Sequence, residues 1–582
     1  MNWNTKNHLL SLIPYIRKYR SQVALGALMV LLTNIAAVTS PWILRTAIDE
    51  LYIKFDRNVL LYFSLFIIGV SLIEGGFRFF MRHILIGVSR KIEYDLRNDL
   101  FAHLQSLSPS FYERNPTGDI MARATNDLSA VRMVLGPGIM YSMNTLFTAI
   151  LTTTILIRID TQLAILTLAP LLGVSLCVKY FGKQIHQRFE KIQEEFSTLT
   201  TLAQENVAGI RVVKAYNQEN AFIERFRAAS DRYLNKSLSL VRVWGIFSPL
   251  LSFLLGLSSV GLLWYGGYQV IEGQITVGDF VAFIAYLAML TWPTIALGWV
   301  INIFERGSAS MGRINKIFHS HPEIWDENTL PISVLEGHIQ VRNLTFSYND
   351  SPVLKEINFE VLPGQTLAIV GSTGSGKSTL VNLLCRLYRV PHGKIFFDTT
   401  DVNNIPLQTL RQGIGYVQQE TFLFSEMVSD NIAFGQPKAN PKAIENAARL
   451  SNIWPDITQF SNQMTTLVGE RGITLSGGQK QRIAISRAIL INPKILILDD
   501  ALSSVDTHTE ELILERLSKN TSSRTVILIS HRISTIRSAD LILVMDNGEI
   551  VERGSHRHLL AANGHYSRLY EKQRLKEELE VE

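Results

Sequence analysis

The chain has 582 residues, of which 47% are hydrophobic and 18% are charged, and its mean hydropathy is +0.15. This length is too great for a single hydrophobic core, so two domains are expected, and the apolar composition favours a membrane protein. The net charge of +5 is small and the basic residues are scattered among acids, which argues against nucleic-acid binding. Cys177 and Cys385 lie far apart, without the spacing of metal ligands.

Six apolar runs in the first 310 residues are long enough to cross a bilayer, which takes about 20 residues each. They lie near residues 22–44, 59–81, 137–157, 162–181, 245–271 and 277–303. Long polar connections follow the second and fourth runs. The connection from Lys179 to Arg242 holds 11 Lys or Arg against 7 Asp or Glu, so we expect the long connections to face the cytosol. Both termini would then be cytosolic.

Two features of the membrane block leave alternatives open. Glu74, Arg78 and Arg82 recur at four-residue spacing on one face of the predicted second helix. Ionisable groups at membrane depth suggest a substrate path or a lipid-headgroup contact, but a local ladder of ion pairs is the competing interpretation. Trp292-Pro293 in the sixth run could mark a kink beside a cavity or simple interfacial packing.

A domain boundary is expected around Pro322 to Pro331, where the pattern becomes polar. After Gly337 the sequence predicts strands: HIQVRNLTFSY alternates apolar and polar residues, and KILIL is apolar after its first residue. Helical stretches lie between the predicted strands, which is typical of an α/β domain with a largely parallel sheet. The predicted domains are therefore a helical transmembrane domain over residues 1–310, a linker over 311–336 and an α/β domain over 337–582.

A phosphate-binding loop follows the apolar strand TLAIV and opens a helix. Glycines allow backbone N–H groups to close around phosphates, a lysine reaches the β- and γ-phosphates, and a serine hydroxyl can hold Mg²⁺. The alternative is a glycine-rich turn without a binding function. The loop consists of Gly371, Ser372, Thr373, Gly374, Ser375, Gly376, Lys377, Ser378 and Thr379.

Two further segments are weak signals alone but indicate nucleotide binding when combined with this loop. The strand KILIL ends in Asp499-Asp500, where Asp499 can face the Mg²⁺ of a bound nucleotide, although acids also commonly end strands. Ser476, Gly477, Gly478 and Gln479 precede a helix and form a second candidate anion site. An N-cap serine followed by a glycine turn is the alternative for that segment.

The sequence LSGGQ is the signature of the ATP-binding cassette (ABC) family, and the chain resembles that family over nearly its whole length. The resemblance implies a helical subdomain within the α/β domain, and ATP and Mg²⁺ as cofactors. It implies that Tyr348 stacks on adenine, that Ser378, Gln419 and Asp499 contact Mg²⁺, and that His531 senses the γ-phosphate. Segment 504–506 matches the family's dimer-contact loop.

The resemblance also implies a partner. In the resembling proteins two cassettes meet head to tail, and each ATP lies between one chain's phosphate loop and the other chain's LSGGQ. Position 500, which is normally a glutamate that activates the attacking water, is Asp500 here. A carboxylate shorter by one methylene is expected to slow hydrolysis at this chain's own site. We therefore expect a second half-transporter with a complete catalytic site, in a heterodimer.

The order of membrane domain before cassette resembles half-size bacterial exporters of the multidrug type. The expected function is ATP-driven export of small amphipathic compounds by a multi-pass protein of the cell membrane. Lipid flipping and peptide export use the same architecture, and a mainly regulatory ATP-binding subunit is a further alternative.

Overall fold

A computed structural model describes residues 8–53, 56–327, 329–348, 351–520 and 524–581. The chain forms two compact units. The first contains residues up to 105 and 116–320, and the second contains 106–115 and the residues from 321 onwards. The last residue of the second long helix and the nine residues after it thus group with the C-terminal unit. Residues 1–7 of the predicted transmembrane domain lie outside the described residues, as does residue 328 of the predicted linker.

In the described part of the first unit, six helical spans are long and apolar enough to cross a membrane, which confirms the helical transmembrane domain expected from the sequence. We label them α1 to α6: Arg20–Ile53, Arg57–Ser106, Thr117–Ile159, Thr161–Ala208, Glu219–Ile271 and Val277–Phe318. Each predicted run lies inside one of them.

The polar connections after the second and fourth runs are mainly helix, because α2, α4 and α5 continue well beyond their apolar segments. Three π-helical turns interrupt the third and fifth spans, at Arg123–Asp127, Val134–Gly138 and Leu262–Gly266. Pro293 lies within α6, and the neighbouring Trp292 is exposed. The helices therefore extend farther than hydropathy alone indicates.

Helix caps stabilise the short connections between α3 and α4 and between α5 and α6. The Asp160 carboxylate accepts a hydrogen bond from the N–H of Leu163 (2.6 Å) at the start of α4. At the start of α6, Thr276 and Asp279 cap each other's backbone N–H groups in a capping box. The Asp279 carboxylate also pairs with Arg45 of α1 at 2.6 Å. These contacts satisfy N–H groups that a helix start would otherwise leave without partners.

The described residues of the second unit form ten strands in two sheets. An antiparallel sheet has the order β2-β1-β4-β5, and a six-stranded sheet has the order β10-β9-β3-β8-β7-β6, in which only β10 is antiparallel to its neighbour. The strands are β1 Ile339–Ser347, β2 Pro352–Val361, β3 Thr366–Gly371, β4 Ile395–Phe397, β5 Thr400–Asp401, β6 Ile414–Val417, β7 Ile495–Asp499, β8 Thr525–Ile529, β9 Leu541–Asp546 and β10 Glu549–Gly554.

The helices of this unit continue the numbering: α7 Lys377–Leu384, α8 Leu407–Gly413, α9 Val428–Ala433, α10 Pro441–Leu450, α11 Trp454–Gln459, α12 Gly477–Leu490, α13 Thr507–Asn520, α14 Ile533–Ile536, α15 His556–Ala561 and α16 His565–Val581. Buried side chains of α7 and of both sheets form one core. A second apolar cluster joins α9, α10 and α11 to Ile483 of α12, and it forms the core of a helical subdomain.

The turn after β4 depends on one carboxylate. Asp398 has a φ of +48°, in the left-handed region that aspartate tolerates better than most residues. Its carboxylate accepts hydrogen bonds from the N–H groups of Glu336 (2.6 Å), Gly337 (3.0 Å) and His338 (2.9 Å). Asp398 thereby ties the entry to β1 to the end of β4.

We predict that Asp398→Ala destabilises this unit by roughly 2–3 kcal/mol, because three N–H groups lose a charged acceptor. Thermal unfolding of the full chain in detergent would measure the change. The matched control is Asp430→Ala, since Asp430 is exposed at the start of α9. Equal melting temperatures for the two variants would contradict the assigned role.

Candidate functional site

The candidate site lies at one edge of the parallel sheet. Strands β3, β7 and β8 run in the same direction, so their carboxyl ends share an edge. The phosphate loop begins at the end of β3, Asp499 ends β7, and His531 follows β8 by two residues. The phosphate loop precedes Asp499 by more than 100 residues, and a helix and a strand separate Asp499 from His531. The fold nevertheless places all three at the same edge of the sheet.

The phosphate loop passes close to neighbouring backbone. A Cβ at Gly371 would collide with the carbonyl oxygen of Met545 in β9. Gly376 caps α7 with a φ of +95°, a conformation that favours glycine. Between them, the N–H of Ser375 donates to the Ser372 carbonyl at 3.2 Å, which closes the turn. The glycines predicted from the sequence therefore lie where this backbone path requires them.

The side chain of Lys377 is buried beneath the loop. Its Nζ donates to the carbonyl oxygens of Gly371 (3.0 Å) and Ser372 (2.8 Å). Burial lowers the pKa of Lys377, and the negative charges of Asp499 and Asp500 oppose this shift. The ammonium group is thus held between the loop and two acids, where it can attract phosphate oxygens.

Asp499 is 2% exposed, and its carboxylate accepts a hydrogen bond from the side chain of Ser378. Burial is the largest influence on the pKa of Asp499 and raises it; the Ser378 hydrogen bond opposes this, the charge of Asp500 adds to it, and Lys377 counteracts it. A hydroxyl beside a carboxylate is a set of hard oxygen donors, which suits Mg²⁺. Both residues therefore fit the predicted metal role.

Asp500 and His531 line one cavity of about 850 Å³, together with Gly371. Asp500 has a φ of +48°, and its N–H donates to the carbonyl of Ile529 in β8 at 2.9 Å. Aspartate tolerates this left-handed conformation better than most residues, as at Asp398. Asp500, which is one methylene shorter than the glutamate expected at this position, thus lies at the sheet edge beside the phosphate loop.

Two predicted ligand contacts lie at the margin of this region. Tyr348 is 39% exposed, and its hydroxyl donates to Thr379 Oγ1 of the phosphate loop at 3.2 Å. Its ring therefore presents a partly exposed face next to the loop. Gln419 is exposed, two residues beyond β6, and makes no side-chain hydrogen bond to any described residue. Tyr348 thus lies beside the phosphate loop, whereas no hydrogen bond among the described residues joins Gln419 to Ser378.

The signature segment starts helix α12. Ser476 is its N-cap: Ser476 Oγ accepts from the N–H of Gln479 (3.3 Å), and the Gln479 side chain accepts from the N–H of Ser476 (3.0 Å). The N-cap interpretation considered for this serine thus describes its local geometry. Ser476 and Gly477 are exposed, and no hydrogen bond among the described residues joins them to the phosphate loop.

Several contacts near the site have no motif that would reveal them in the sequence. The ring of Tyr388 packs edge-on against Tyr348, with 5.0 Å between centroids. The Tyr388 hydroxyl donates to Glu113, in the ten-residue segment that groups with the cassette. Arg532 follows His531 directly and pairs with Glu510. In the sequence, the position of Arg532 next to the predicted phosphate sensor His531 is the signal that could have drawn attention to it.

In the membrane unit, the Arg78 guanidinium donates to the carboxylate of Glu74, as the ion-ladder interpretation predicts. Arg82 makes no ion pair with any described residue. It lines a cavity of about 880 Å³ together with Arg78 and Lys91, and apolar side chains such as Phe79 complete the wall. This cavity combines cationic and apolar surfaces.

Comparisons with known proteins agree with this architecture. Residues 23–294 match the ABC transporter transmembrane region, and residues 354–503 match the ABC transporter family. A probable multidrug resistance ABC transporter ATP-binding/permease protein of Bacillus subtilis (strain 168) is 37% identical, over 96% of this chain and 97% of its own length.

Two other relatives carry different names. The multidrug resistance-like ATP-binding protein MdlA of Escherichia coli (strain K12) is 35% identical, over 97% of this chain and 96% of its own. An ATP-dependent lipid A-core flippase of Syntrophus aciditrophicus (strain SB) is also 35% identical, over 97% and 94%.

A solved structure of a bacterial Atm1-family ABC exporter with ATP bound superposes with a TM-score of 0.78 and 28% identity, covering 95% of this chain and 98% of that one. These relatives align over nearly their full length with nearly all of this chain, which includes both matched regions. The chain therefore belongs to the ABC transporter family, as an ATP-hydrolysing exporter that carries its transmembrane and ATP-binding regions in one polypeptide.

Proposed function

We propose that this protein is one half of a dimeric exporter that moves amphipathic compounds or drugs across the cytoplasmic membrane. The observation that carries the proposal is the exposure of Ser476 and Gly477, which no hydrogen bond among the described residues joins to the chain's own phosphate loop. An exposed signature is available to the nucleotide of a second cassette. The multidrug names of two relatives support the substrate class.

In this proposal different residues bind the nucleotide, the metal and the partner's nucleotide. Residues 371–379 and Tyr348 hold ATP, with Lys377 as the main point charge on its β- and γ-phosphates. Ser378 and Asp499 hold Mg²⁺, and Gln419 is the third residue that we assign to the metal. His531 faces the γ-phosphate, and Ser476 to Gln479 contact the nucleotide bound by the partner.

We propose further that the partner is a different half-transporter. Asp500 replaces the glutamate that activates water in the resembling proteins, whereas LSGGQ is intact. A homodimer would contain two slow sites. In a heterodimer, Ser476, Gly477 and Gly478 of this chain would serve a competent site on the partner, and Lys377 and Asp499 would bind ATP that turns over slowly.

Lipid export is the second candidate, and one observation favours it. The cavity lined by Arg78, Arg82 and Lys91 pairs cationic groups with an apolar wall, which is the chemistry of an anionic lipid. A relative named as a lipid A-core flippase is 35% identical. Mass spectrometry of what co-purifies with the tagged chain in detergent would separate the candidates, since it would detect the lipid, the drug and the partner subunit.

The proposed topology places the nucleotide-binding unit in the cytosol. We predict that a membrane-impermeant thiol reagent, added outside intact cells, labels a cysteine introduced at Gly273 between α5 and α6. A cysteine introduced at Lys214, in the basic connection between α4 and α5, should stay unlabelled until the cells are opened. The reverse pattern would overturn the topology.

We predict that Lys377→Ala lowers ATP affinity at this chain's own site at least tenfold, or about 1.4 kcal/mol, because it removes the point charge beneath the loop. Titration of the purified full-length chain with a fluorescent ATP analogue measures the change. The control is Lys438→Ala, because Lys438 is exposed. Equal affinity in both variants would contradict the assignment of the loop.

We predict that the assembled transporter keeps most of its ATPase activity in Asp500→Asn and loses most of it in Ser476→Arg. The first change affects a site that is already slow, whereas the second inserts a bulky cation at the competent site. ATP turnover of the complex as purified measures both. Brisk hydrolysis by the chain alone that Asp500→Asn eliminates would mean that Asp500 is itself the working base in a homodimer.

A further inference from the structure

The residue after His531 is anchored on a buried acid. Nη1 of Arg532 lies 2.6 Å from Oε2 of Glu510 in α13, and Glu510 is 1% exposed. The hydroxyl of Thr535 donates to the other oxygen of the same carboxylate. A buried carboxylate is costly unless it is paired and hydrogen-bonded, so Glu510 strongly restricts where the guanidinium can lie.

The same guanidinium holds the backbone of the segment that follows Asp500. Nη1 of Arg532 donates to the carbonyl of Val505 at 2.9 Å, and Nη2 donates to the carbonyl of Ser503 at 3.1 Å. A planar guanidinium presents several donors in a fixed geometry, so one side chain can hold a carboxylate and two carbonyls at once. Arg532 thereby joins the histidine loop to segment 503–505.

That segment is joined in turn to the signature helix α12. Gln481 is 5% exposed; its Nε2 donates to Ser503 Oγ at 3.0 Å, and its Oε1 accepts from the N–H of Ser504 at 2.9 Å. A Cβ at Gly478 would lie 2.8 Å from the Ser504 carbonyl oxygen, so helix and segment are in close contact. Polar contacts therefore run from Gln481 in the signature helix, through segment 503–505, to Arg532 beside His531.

We infer that Arg532, held by Glu510, is a positioning residue that couples the His531 loop to the signature helix through segment 503–505. This inference rests on the proposed dimer, in which His531 and Ser476 face two different ATP molecules. The relay would then let the occupancy of one nucleotide site adjust the geometry of the other.

A purely structural ion pair would stabilise the fold without linking the two loops. Glu510→Gln tests the difference, because glutamine keeps the shape and can still bond Thr535 but cannot hold the guanidinium as an anion. The matched control is Glu511→Gln. The Glu511 carboxylate is 58% exposed and lies 3.9 Å from Arg537, so it carries little interaction energy.

The first measurement is hydrogen–deuterium exchange on the full-length chain in detergent, which requires neither hydrolysis nor a partner. We expect Glu510→Gln to raise exchange at least tenfold at two separate segments, residues 503–506 and 530–536, and we expect Glu511→Gln to change neither. Increased exchange confined to α13, or no increase in either segment, would overturn the relay.

The second measurement is ATP turnover of the assembled transporter. We expect Glu510→Gln to lower kcat at least tenfold with KM for ATP within twofold, and Arg532→Lys to lower kcat less, since an ammonium keeps one of the three contacts. A wild-type kcat in Glu510→Gln, or a loss of kcat that merely follows a loss of folded protein, would overturn the positioning role. If the wild-type complex hydrolyses no ATP, the proposed function fails, and the exchange measurement still decides the relay.

Discussion

The shared direction of β3, β7 and β8 is the constraint on which the site depends. Because parallel strands end at one edge, Gly371, Asp499 and His531 converge without any further device. The convergence also buries opposite charges together: burial alone disfavours the charged forms of Lys377 and Asp499, and each charge partly restores the other. Phosphates and a divalent cation would complete this balance, so the site is suited electrostatically to a metal–nucleotide complex.

Features written in contiguous residues could be predicted from the sequence. The six apolar runs need only length and hydropathy, and all six lie inside helices. The phosphate loop needs a strand, glycines and Lys377 in order, because the strand-to-helix turn is local. Asp499 follows from the end of a buried strand, and the parallel neighbours of that strand place it beside the loop.

Features that depend on packing between distant residues could not be predicted. Glu510 and Arg532 are separated by a helix and a strand, and their pairing depends on how α13 lies against the loop after β8. The contact of Tyr388 with Tyr348 requires the turn after α7 to fold back toward β1. The grouping of residues 106–115 with the cassette carries no hydropathy signal, because it depends on individual polar contacts such as that between Glu113 and Tyr388.

The length of α2 has a mechanical consequence. Its 50 residues form a rod of roughly 75 Å, of which the hydrocarbon core of a bilayer accounts for about 30 Å. No proline interrupts this helix, and residues 57–106 form one continuous α-helical segment. A tilt of about 5° about one end of such a rod would displace the other end by roughly 6 Å. The helix is in effect a lever, and angular changes too small to break its side-chain packing become displacements as large as a helical turn.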